Sequence, residues 1–149
     1  MITLADLRVR AMRALAGAAL VVASALPAVA GGGGLPGLYT ITDVDGKPVP
    51  AAAKLTIRFS EKASFEGFGG CNHFSGPYKF VGPITAQSVI MGPIRVTKKS
   101  CPEDVMSLEH ALLRALGTAH TIERADDGAF VIADDKGKTT ARLVFKAAD

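Results

Sequence analysis

The chain has 149 residues with 17 basic and 14 acidic side chains, a formal excess of +3, and no tryptophan. The amino-terminal Asp6, Arg8, Arg10 and Arg13 account for part of that excess. Without residues 1–30 the count is 14 minus 13, a net of +1, which is no argument for nucleic-acid binding. The remaining 119 residues (149 minus 30) suit one domain, and with few aromatic side chains its core must be mostly aliphatic.

Arg8, Arg10 and Arg13 precede an uncharged run from Ala14 to Leu26, then Pro27 and Ala28-Val29-Ala30. A basic segment, a short apolar segment and a small-residue triplet are the parts of a secretory signal peptide, predicted over residues 1–30. The run is shorter than the roughly 20 residues that span a bilayer. No cysteine near the cut could accept a lipid, so the mature chain is expected to be periplasmic or secreted, without a transmembrane segment. Residues 31–37 read as a flexible glycine-rich leader, and a domain is predicted over 38–147.

Tyr39–Thr42 reads as a strand ended by Asp45-Gly46. Leu55, Ile57 and Phe59 alternate with Thr56, Arg58 and Ser60, the period of a half-buried strand. Ser64–Phe68 is a third strand, with Phe65 and Phe68 on opposite faces. The glycines at 67, 69 and 70 then mark a close backbone approach into Cys71. Cys71 and Cys101 are the only cysteines. In an exported chain they have one intramolecular pairing, so a disulfide is predicted.

Further strands are predicted at Gly76–Val81 and Ile84–Met91, with Pro83 and Pro93 at strand ends. One helix is predicted from Pro102 to Leu116. Pro102 suits its first position, Glu103 and Asp104 complement the dipole, and Gly117 stops it. Its apolar stripe includes Leu108, Leu112 and Leu116, expected to meet Leu55, Ile57, Leu143 and Phe145. Strands at His120–Ala125, Ala129–Ala133 and Thr140–Lys146 follow, separated by turns at Asp126-Asp127-Gly128 and Asp134–Gly137. The fold class is α+β: a curved antiparallel sheet of about seven or eight strands with one helix in its concavity.

Gly70-Cys71-Asn72, Ser75-Gly76, Tyr78, Thr97 through Cys101-Pro102, and Glu109 on a helix with Leu116 together resemble the META domain. This is the family of the heat-shock-inducible outer-membrane lipoproteins of Gram-negative bacteria. The resemblance spans Leu38 to Lys146. It implies a small non-enzymatic envelope domain connected with stress tolerance or drug resistance, in which Gly70, Cys71, Asn72, Ser75, Gly76, Thr97 and Glu109 are structural motif positions. Helical spacing allows Glu109 to be exposed or half-buried; the resemblance implies the half-buried position, accepting hydrogen bonds from backbone around the cysteine loop. Where the family usually has Thr-Arg-Met-Ala-Cys, this chain has Thr97-Lys98-Lys99-Ser100-Cys101, which requires Lys99 to be solvated.

Other chemistry is weaker. Cys71, His73, Cys101 and His110 are ligand types, but Cys-x-His is not a usual zinc spacing, and no metal or cofactor is expected. His73 and Ser75 are two apart with no identifiable orienting carboxylate; His73 reads as exposed at a strand edge and Ser75 as the start of a turn. Arg95, Lys98 and Lys99 form the densest basic cluster, suited to solvent or to an anionic envelope surface. The function expected is an exported accessory or binding domain, a monomer, with an unknown envelope protein or an anionic surface as partner. The alternatives are an inhibitor of an exported protease acting through a disulfide-braced loop at Gly92–Cys101, and a carrier of a small apolar ligand.

Overall fold

The computed structural model describes residues 34–83 and 86–147; the predicted signal segment, and Ile84 and Thr85 of the fifth predicted strand, lie outside them. Ten strands form in chain order: β1 Gly37–Val44, β2 Lys47–Pro48, β3 Thr56–Phe59, β4 Ser64–Phe68, β5 His73–Val81, β6 Ser88–Met91, β7 Arg95–Val96, then β8 Thr121–Arg124, β9 Phe130–Ala133 and β10 Thr139–Phe145. The single α-helix among the described residues, α1, runs Glu103–Gly117. All strand pairings are antiparallel, and the main path is β6-β5-β4-β3-β1-β10-β9-β8. Two-residue β2 and β7 pair with β1 and β5 off that path.

Strand twist curls this path until its ends meet. The Val89 N–H donates to the His120 carbonyl at 2.7 Å, and Ser88 Oγ lies 3.1 Å from His120 Nε2. These contacts join β6 to the start of β8 and leave a nearly closed barrel. Alternate residues point inward, so Ile57, Phe59, Phe65, Phe74, Ile132 and Leu143 belong to one buried cluster. α1 packs against β1, β6, β9 and β10, burying Leu112 and Leu116 completely in the same cluster.

Several expectations change. β5 starts at His73 rather than Gly76, so Ser75 sits inside a strand instead of opening a turn. Pairing of Glu66 with Ser75 and of Gly67 with Phe74 extends the ladder through the glycines. Pro102 is the helix N-cap, and Gly117 is the last helical residue. Phe145 does not meet the helix. It is 60% exposed at the other end of the barrel, its ring edge-on to Tyr39 at 5.7 Å. Of the leader predicted over 31–37, residues 34–37 lie within the described part, and there Leu35 is held in place. That residue is buried, its carbonyl accepts the Tyr39 hydroxyl at 2.9 Å, and β1 begins at Gly37. Burying a leucine there contributes about 2 kcal/mol toward fixing the chain ahead of β1.

Candidate functional site

The motif residues converge where α1 meets the β4–β5 connection. The chain reverses through Gly69-Gly70-Cys71-Asn72, closed by the Gly69 N–H donating to the Asn72 carbonyl at 2.8 Å. A Cβ on residue 69 would stand 2.8 Å from both Cγ and Oε2 of Glu109. Glycine therefore lets the helix lower its carboxylate onto the turn. Gly70 adopts φ +102°, a backbone state that side chains resist.

Glu109 is 1% exposed. Its Oε2 accepts the N–H groups of Cys71 at 3.2 Å and Asn72 at 2.6 Å, while Oε1 accepts the Asn72 side-chain amide at 2.7 Å. A buried carboxylate costs several kcal/mol unless such donors replace water. Asn72, also buried, uses its other positions on the chain ahead of the second cysteine. Nδ2 donates to the Lys99 carbonyl at 3.2 Å, and Oδ1 accepts the Lys99 N–H at 2.6 Å and the Thr97 hydroxyl at 2.9 Å. Thr97 Oγ1 then accepts the His73 N–H at 3.1 Å. Among the described residues, no buried side-chain nitrogen or oxygen lacks a partner.

This network holds a strap, Gly92–Cys101. β7 pairs with Phe74 and Ser75 of β5, Asn72 grips both backbone groups of Lys99, and Cys101 is bonded to Cys71 with alpha carbons 6.0 Å apart. From Arg95 to Ser100 every side chain is exposed, so Lys99 is solvated while its backbone is fixed. A cleft of about 380 Å³ between strap and helix is lined by Val96, Lys98, Met106, His110 and Leu113.

The sulfurs of Cys71 and Cys101 are spent on each other. Among the described residues, no three of His, Cys, Asp and Glu are grouped to hold a metal ion. His73 packs its ring against Phe68 at 5.2 Å, and Ser75 lies between Glu66 and Arg95 in the ladder. Gly76 is half-buried in β5; a Cβ there would stand 2.9 Å from the Pro93 carbonyl and 3.0 Å from the Phe65 ring. Arg58, Glu66 and Phe68 carry no motif signal in the sequence. Alternation marks them as outward, but nothing local shows that β7 brings Arg95 beside them.

The META domain model matches residues 35–147. The chain belongs to the META domain family. The META fold extends to solved structures at low identity. An NMR structure of a protein from Burkholderia xenovorans is 18% identical, with a TM-score of 0.57 over 75% of this chain and 83% of that one. A crystal structure of a DUF4847 family protein from Bacteroides vulgatus is 17% identical, with a TM-score of 0.53 over 76% and 94%. At these identities the likeness is one of fold. No match was found among curated protein sequences. Within this META domain, the Gly-Cys-Asn box, Thr97 and Glu109 form one hydrogen-bonded knot.

Proposed function

We propose that this META protein is an exported, non-enzymatic accessory or binding domain of the bacterial cell envelope, periplasmic or secreted, serving stress tolerance or drug resistance. The observation that carries this reading is how the motif polar groups are used. Asn72, Thr97 and Glu109 bond one another and the strap backbone, which is the work of a scaffold presenting a surface. The Cys71–Cys101 bond supports an oxidising compartment, as does the signal-like segment at residues 1–30. No helix among the described residues is long and apolar enough to cross a membrane.

Intact-mass analysis of the protein recovered from periplasm and medium tests export. A chain beginning at Gly31, with both cysteines oxidised, is expected. A full-length chain retained in the cytoplasm with two free thiols overturns the reading. Co-purification from envelope extract under heat or antibiotic stress then identifies the partner.

A second reading is favoured by the strap, which is exposed yet braced by a β-ladder, an asparagine side chain and a disulfide. Pre-organisation of this kind suits an inhibitor of an exported protease, with Lys98 and Lys99 offered to an acidic specificity pocket. Slow, tight inhibition of a trypsin-like enzyme, lost in Lys98→Ala, would establish it. Rapid cleavage of the strap would exclude it.

A further inference from the structure

The outer wall formed by β3, β4, β5 and β7 carries a second feature, separate from the motif knot. Ladder pairing aligns Arg58 with Glu66, Glu66 with Ser75, and Ser75 with Arg95, making one row across four strands. The adjacent row aligns Thr56 with Phe68 and Phe68 with His73. Inward neighbours Ile57, Phe59, Phe65 and Phe74 are buried, so by strand alternation both rows face outward.

Between the rows lies a groove of about 620 Å³ whose walls include Leu38 and Val96. That volume falls in the range of small-ligand sites. On one side the half-buried Phe68 ring and the His73 ring, centroids 5.2 Å apart, form an aromatic platform. Along the other stand the guanidinium groups of Arg58 and Arg95 with the Ser75 hydroxyl. Glu66 Oε1 lies 3.9 Å from Arg58 Nε, with both side chains exposed. Arg95 makes no ion pair among the described residues. Lys98 and Lys99 lie further along the same strap, whereas the paired aspartates sit at the β8–β9 and β9–β10 turns on the opposite wall.

We infer that this groove binds an anionic sugar, a saccharide bearing a carboxylate or phosphate group. The two kinds of chemistry needed are both present at one ligand's width. A pyranose offers an apolar C–H face that an aromatic platform covers, and its acid group accepts paired N–H donors from a planar guanidinium. Arg95 takes the acid group, Phe68 and His73 take the ring face, and Thr56 and Ser75 bond ring hydroxyls. The inference rests on the envelope-binding reading and supplies its ligand class. Binding in solution is measured independently of export, so failure here leaves the localisation test untouched.

The experiment is an amide-resolved NMR titration of the disulfide-intact protein with four probes: trigalacturonic acid, glucose 1-phosphate, maltotriose and inorganic phosphate. The two charged sugars should shift the amides of Thr56, Glu66 to Phe68, Ser75 and Arg95. Maltotriose and inorganic phosphate should bind at least about tenfold more weakly, because each lacks one half of the recognition. Arg95→Gln and Phe68→Ala should each weaken charged-sugar binding by about tenfold with the amide spectrum otherwise native, and Lys136→Gln should not. Equal binding of inorganic phosphate, equal binding of maltotriose, shifts scattered over all surface lysines, or no effect of Arg95→Gln overturns the proposal. Binding to anionic lipid vesicles without any response to the sugars also overturns it, in favour of a membrane surface.

Discussion

Asn72 carries more of this structure than any other polar side chain. Its amide satisfies two acceptors and its carbonyl two donors, so the side chain has full capacity only as asparagine. Asn72→Asp keeps the shape but turns the donor toward Glu109 into a second carboxylate oxygen, 2.7 Å from Oε1. Urea unfolding at neutral pH should show a loss of about 3 kcal/mol or more. The deficit should narrow on mild acidification, because two close carboxylates can share a proton. A variant as stable as the parent would mean that the knot does not hold the strap. Asp127 offers a contrasting case at the surface. The Ala129 N–H bonded to its carboxylate, followed by Arg142, holds it below the ordinary aspartate range. With the folded value lowered, its contribution is present above the unfolded aspartate pKa and fades as pH falls through the folded one. An NMR titration should therefore find Asp127 ionising below the ordinary aspartate value, and Arg142→Gln should move it upward.

At the scale of elements, α1 divides its labour along its length. Its first two turns set Glu109 on the cysteine loop, and its later turns drive Leu112 and Leu116 into the barrel. Because Leu112 is fully buried, Leu112→Ala should cost about 2–5 kcal/mol in denaturant unfolding. A loss under about 1 kcal/mol would mean that the helix is loosely seated. β7 is an element of the opposite kind, two residues long with both of them exposed. It exists because β6 pairs only with Tyr78–Val81, leaving the β5 edge at Phe74 and Ser75 for β7, and because Asn72 and the disulfide tether the chain beyond it. Such short, basic edge strands also resist unwanted strand pairing.

For the whole molecule, the disulfide links the β4–β5 turn to the start of α1 across a separation of 30 residues. The chain-entropy account assigns a loop of that size about 3.6 kcal/mol. Reduction should lower stability by about 2–5 kcal/mol, and backbone hydrogen exchange should rise first at Thr97 and Lys99. Uniform acceleration across the barrel instead would show that the bond constrains only the unfolded chain.

Much of the architecture was legible in local pattern. The alternation of Leu55, Ile57 and Phe59, the four-residue spacing of Leu108, Leu112 and Leu116, and the turn signals at Asp45-Gly46 and Asp126–Gly128 report nearest-neighbour geometry, which periodicity encodes directly. Two cysteines admit only one intramolecular pairing, so that constraint also needed no coordinates. Tertiary structure alone decided the rest. The existence of β7, the burial of Leu35, the exposure of Phe145 and the alignment of Arg58 with Arg95 depend on which edge meets which after the sheet has curled. These are contacts between residues far apart in sequence, set by twist and closure, and no window along the chain contains them.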